Sequence, residues 1–136
     1  MKHNFKIKRI DTPNESDCWA IALSQALNID YNIIYKQFKH MLASDGSVES
    51  DIVKGYLKKE GYTIVTSSLS LIDAIRVYDR INGILFALES INGNYHIVYI
   101  EDNIIHDGKE LNDDMLWWFI KEYEVIWIAK KLNNFE

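Results

Sequence analysis

From Cys18 to Leu27 the chain reads Cys-Trp-Ala-Ile-Ala-Leu-Ser-Gln-Ala-Leu, and only Ser24 and Gln25 interrupt the apolar residues. A helix that is apolar nearly all round is buried centrally rather than laid on a surface, so the remaining chain has to wrap it. Just upstream, Asp11-Thr12-Pro13-Asn14-Glu15-Ser16-Asp17 is almost pure turn chemistry and holds the only proline. Ser16 or Asp17 suits a helix N-cap, which puts Cys18, the only cysteine, in the first helical turn.

The elements around this helix follow from periodicity. Residues 4–10 alternate as a short, half-exposed strand, an edge strand whose lysines discourage pairing with other chains. Asp30 caps a second helix with Tyr31, Ile34, Tyr35, Phe38, Met41 and Leu42 on one face. A third helix spans about residues 48–60, buries Ile52, Val53, Tyr56 and Leu57, and ends at Gly61 in a left-handed C-cap. Residues 62–67 read as a strand, and residues 69–81 as a helix with Leu71, Ile72, Ile75 and Tyr78 inward. The continuous apolar run 83–89 reads as a strand covered on both faces. Asn92-Gly93 is a hairpin signal leading into a strand at 95–100. A second turn at Glu101-Asp102-Asn103 leads to Ile104-Ile105-His106-Asp107, closed by Gly108. A helix over 112–122 and a last strand over 123–129 complete the chain. Helices first and an antiparallel meander afterwards specify an α+β class in one domain, at a length of 136 residues that suits a single core.

Bulk chemistry narrows the function. A net charge of −5 argues against nucleic-acid binding, because phosphate contacts need a basic face. One cysteine excludes an internal disulfide and paired thiolate zinc motifs, and nothing calls for a cofactor. No apolar run approaches the ~20 residues that span a bilayer, and Met1-Lys2-His3-Asn4-Phe5-Lys6 lacks the apolar core of a signal peptide, so a cytoplasmic location without membrane contact is expected. Oligomeric state is not readable from these residues.

A thiol is a poor nucleophile until ionised, and its ordinary pKa is about 8.5. The first turn of a helix offers unpaired N–H groups and the positive end of the dipole, both of which favour thiolate. Cys18 has that place, and its backbone N–H would serve a developing oxyanion; the plain alternative is a small hydrophobe opening a buried helix. His96 stands on an otherwise apolar strand, where a packed core histidine is the ordinary reading. If Asp102-Asn103 form a two-residue turn, Asp107 faces Val98 and lies diagonal to His96 on the same face, within about 7–8 Å between backbones. An aspartate there would fix the ring tautomer and support the imidazolium; the alternative is an aspartate that merely makes a turn before Gly108. Adjacent His106 and Asp107 point to opposite faces of a strand, which argues against a metal site built from them with His96. In the helix over 112–122, neighbouring Trp117 and Trp118 point about 100° apart; core packing of both is the first expectation, and one in the core with the other partly exposed, at a partner surface or groove rim, is the alternative.

Taken together, Asp17-Cys18-Trp19-Ala20-Ile21-Ala22-Leu23, His96-Ile97-Val98 and Ile104-Ile105-His106-Asp107 resemble, in kind and order, the papain-like cysteine peptidases. The likeness is to small bacterial and phage members akin to the leader-cleaving peptidases of bacteriocin transporters, and covers roughly residues 14–42 and 84–108. It implies a papain-like fold with a Cys-bearing helix packed on an antiparallel sheet carrying His and Asp. It also implies Cys18 as nucleophile, His96 as general base then acid, and Asp107 as orienter, acting on a protein or peptide. The family usually has a glutamine six residues before the cysteine to complete the oxyanion hole; here that position is Thr12, and the oxyanion role is assigned instead to Asn14, whose side-chain amide stands at a different spacing, together with Cys18. Peptide or isopeptide hydrolysis is the expectation. The same triad would serve a protein deamidase or transglutaminase, and the reading from another class is a non-catalytic binding module, such as a phage or mobile-element factor that blocks a host protein.

Overall fold

The computed structural model describes residues 5–14, 17–78, 83–89, 95–108 and 113–131. The strands are β1 (Lys6–Arg9), β2 (Tyr62–Thr66), β3 (Gly83–Glu89), β4 (Tyr95–Glu101), β5 (Ile104–Asp107) and β6 (Tyr123–Lys131). The α-helices are α1 (Cys18–Leu27), α2 (Tyr31–Gln37), α3 (Ser50–Lys59), α4 (Leu71–Tyr78) and α5 (Leu116–Glu122), with short 3₁₀ turns at Lys39–Met41 and Asp113–Met115. The class is α+β, and the six strands form one sheet in the order β1-β5-β4-β3-β6-β2.

The sheet is covered on both faces. On one side α1, α2 and α3 bury Trp19, Leu23, Ile34, Val53 and Leu57 against Ile84, Ile97, Trp127 and Ala129. On the other, α4 and α5 bury Leu71, Ala74, Phe119 and Ile120 against Val98, Ile100, Ile105, Val125 and Ile128. This is why α1 is apolar all round: Trp19 to Leu23 are all buried, with the sheet beneath and α2 above. The strand over 83–89 is central, which its unbroken apolar run demands. Gly83 has φ +154° and lies so close to the Ala129 carbonyl that any side chain would collide with it.

The meander is tied locally. Asp102 and Asn103 both have positive φ (52° and 65°), the two-residue turn that matches strand twist, and they set Tyr99 opposite His106 and Ile100 opposite Ile105. Between β3 and β6 the register shifts at Phe86/Ala87: Phe86 pairs with Trp127 and Ala87 with Val125, so Ile126 is the extra residue of a β-bulge.

Three expectations need correction. The sheet is mixed rather than antiparallel, because β1 runs parallel to β5 at one edge. The second helix stops at Gln37 instead of continuing to Leu42. Phe38 is buried edge-on to both Trp19 and Tyr56, the chain tightens into the 3₁₀ turn there, and Met41 is left exposed. Neither Trp117 nor Trp118 is core; both are exposed to about the same degree (40% and 38%), and Phe119 fills the interior position. The Asn92-Gly93 hairpin and the inward placing of Ile75 and Tyr78 lie outside the described residues and side chains. No helix among the described residues is long and apolar enough to cross a membrane.

Candidate active site

Cys18 is the first residue of α1 and is partly buried. The N-cap is Asp17, but its side chain makes no capping bond. Its carboxylate turns away to accept hydrogen bonds from the hydroxyls of Thr12 and of Tyr31, the latter at 2.6 Å. Asn14 in turn donates its side-chain amide to the Tyr31 oxygen at 3.0 Å. Burial and then this bond to Asp17 push the Tyr31 hydroxyl pKa up to about 12. Thr12 and Asn14, weighed above for the oxyanion position, are thus both engaged in bracing the start of α1 against α2. The Asp17 carbonyl accepts from the N–H groups of Ala20 and Ile21, so those of Cys18 and Trp19 have no acceptor among the described residues.

His96 is the second residue of β4, and Asp107 the last of β5. The turn register puts both on the sheet face that carries Val98 and Ile100. There His96 Nε2 meets Asp107 Oδ1 at 2.8 Å, with both side chains only 1% exposed. A carboxylate can only accept, so Nε2 carries the proton; in the neutral ring Nδ1 is then the basic nitrogen. Phe119 stands edge-on to the ring at 6.1 Å and holds it from the α5 side. Neighbouring His106 points to the opposite face. Its Nδ1 lies 2.9 Å from the Gln25 amide oxygen, its ring is edge-on to Tyr99, and burial, then Lys8, lowers its pKa. The alternation expected of consecutive strand residues is therefore observed.

Although α1 covers the other face, His96 stands at the end of the sheet where α1 begins, and both Cys18 and His96 line one cavity of about 630 Å³. The His96 ring, however, turns into the α5-side core, on the sheet face opposite α1, with its Nδ1 shielded from solvent, so the thiol and the ring are not brought together. The sheet side of the cavity is a column of stacked rings, Trp127 on Phe86 (5.4 Å) and Phe86 on Tyr95 (5.1 Å), with Tyr95 exposed at the mouth. The far wall is the loop and first turn of α3, from Ser47 to Lys54. Trp19 fixes that loop by donating its indole N–H to the Gly46 carbonyl at 3.2 Å. The ring column and the α3 wall escaped sequence reasoning, because Phe86, Tyr95 and Trp127 come from three strands and nothing local links them.

Among the described residues no cluster of three His, Cys, Asp or Glu side chains is disposed to hold a metal ion. Comparison of the chain with protein-family models, curated proteins and solved structures finds no match.

Proposed function

We propose that the protein is a cysteine-dependent hydrolase that cleaves a peptide or isopeptide bond with Cys18, His96 and Asp107. The observation that carries this reading is the buried 2.8 Å His96–Asp107 pair, whose histidine is among the residues lining the cavity that Cys18 also lines. A histidine kept only for packing has no need of a buried carboxylate on Nε2, whereas a base that must become cationic does.

The steps follow from the atoms. The first step requires a local opening on substrate binding that uncovers His96 Nδ1, to which the Cys18 thiol then passes its proton. The thiolate sulfur bonds to the carbonyl carbon, and the C=O π pair moves to oxygen, where the Cys18 and Trp19 N–H groups are available as donors. The C–N bond then breaks and Nδ1 returns its proton to the departing amine. Water gives a proton to Nδ1 and attacks the thioester; the C–S bond breaks, the acid leaves, and the thiol is restored. Asp107 stays ionised and supports the imidazolium throughout.

The test is the rate of Cys18 alkylation by iodoacetamide from pH 5 to 9. Ionisation assisted by His96 gives a rate well above that of a model thiol at pH 6, and His96→Gln removes the excess. A wild-type profile that simply follows an ordinary thiol with pKa about 8.5 refutes the hydrolase reading.

A further inference from the structure

Asp17 sits where a capping residue belongs, yet its carboxylate makes no bond to α1. A capping side chain accepts from the N–H of the second or third helical residue. The third, Ala20, already donates to the Asp17 carbonyl, so the open donor is Trp19 N–H, with Cys18 N–H beside it. A carboxylate seated on Trp19 N–H would occupy a donor that the tetrahedral intermediate would use. It would also set a negative charge beside the sulfur that has to ionise. At this helix a cap would oppose the chemistry.

What diverts Asp17 comes from outside the helix. Thr12 and Tyr31 both donate to the same oxygen, Oδ2, and Asp17 is only 7% exposed. Asn14 donates to the Tyr31 oxygen, which leaves the single hydroxyl proton of Tyr31 to point at Asp17. With its pKa pushed up to about 12, Tyr31 keeps that proton throughout the neutral range. The Tyr31 ring is held in turn. It lies 5.8 Å from the Tyr35 ring, and Tyr35 stacks on Trp19 at 5.4 Å, so the hydroxyl is located by the residue whose N–H is at stake. We propose that Thr12 and Tyr31 are positioning residues whose hydroxyls withhold the Asp17 carboxylate from the first turn of α1, keeping Trp19 N–H open and the charge away from the Cys18 sulfur. The purpose rests on the reading of Cys18 as nucleophile, while the diversion of the carboxylate is testable without substrate.

The experiment follows iodoacetamide alkylation of Cys18 from pH 5 to 10 in the His96→Gln chain, so that any help from His96 is absent. Glu49, Asp51, Lys54 and Tyr95, the other titratable residues lining the cavity, are the same in every variant. Tyr31→Phe keeps the ring and removes the proton donor. The midpoint of the profile should then rise by about one pH unit, as for a thiol that gains a neighbouring negative charge. At pH 6 the rate should fall only about threefold, because the scarcer thiolate is also the more nucleophilic one. Adding Asp17→Asn removes the charge and should return the midpoint to that of the parent; a brace that served packing alone would be damaged further by this second change. Thr12→Val should shift the midpoint the same way by a smaller amount, and it carries the comparison if Tyr31→Phe does not fold. A single-variant midpoint equal to the parent's, or one that Asp17→Asn fails to lower, overturns the inference. The hydrolase reading is judged separately, on the wild-type profile with His96 in place, so either can fail alone.

Discussion

Replacing Asp107 by Asn isolates what its charge contributes. The carboxylate is 1% exposed and 2.8 Å from His96 Nε2, and Asn is nearly isosteric and still offers an oxygen to the N–H. The folded chain should therefore lose little: the difference between a charge-assisted and a neutral hydrogen bond, about 1 kcal/mol. The imidazolium loses far more. At 2.8 Å and an effective dielectric near 20, the charge–charge attraction is about 6 kcal/mol before desolvation is subtracted. Retaining even half of that means a loss of about 10² in any step that needs the ring protonated. Asp107→Ala is different, because it leaves a buried donor without its acceptor and should cost about 3 kcal/mol of stability. The assay combines urea unfolding of His96→Gln, Asp107→Asn and the double variant with alkylation of Cys18 at pH 6. A His96–Asp107 coupling energy below about 0.5 kcal/mol would refute the claim that the two act as a unit. Alkylation of Asp107→Asn at the wild-type rate would equally refute the supporting role of the charge.

Two further outcomes test the frame. The His106 pKa is depressed, first by burial, so the folded chain favours the neutral ring. The stability this provides is complete above the ordinary value of about 6.5 and is lost as pH falls from there through the depressed value; thermal melts of His106→Asn should show a flatter decline over that window. Gly83→Ala drives a side chain into the Ala129 carbonyl on the neighbouring strand, and should lower stability in urea by about 3 kcal/mol; a loss below about 0.5 kcal/mol would show that β3 and β6 can part without cost.

What could be read from the chain was whatever neighbours decide. The bounds of α1 follow from an apolar run and a polar turn, and those of β3 from another apolar run that opens at glycine. The pairing of Tyr99 with His106 follows from a turn two residues long, and from it the approach of Asp107 to His96. What could not be read depends on distant partners. The parallel seat of β1 beside β5 joins residues about a hundred apart and leaves no local mark. Asp17 reads as an ordinary cap until Tyr31, fourteen residues away, is found to claim its carboxylate. Thr12 reads as a lost catalytic donor, but its hydroxyl belongs to that same brace. Periodicity extended α2 to Leu42 because it cannot register that Phe38 will be caught between two other rings.

The irregularity at Ile126 bears on how this site tolerates change. A regular strand offers a cavity only alternate side chains, whereas Ile126 and Trp127 are consecutive and both line it. Val125 meanwhile packs in the α5-side core, whose Phe119 stands against the His96 ring. Loss of Ile126 would bring Val125 and Trp127 into direct succession, still opposite Ala87 and Phe86, so neither face of the sheet would invert. One wall of the cavity would recede by a side chain while the histidine and its carboxylate kept their seats. The length of the chain at this point therefore sets the size of the cavity independently of the His96–Asp107 pair.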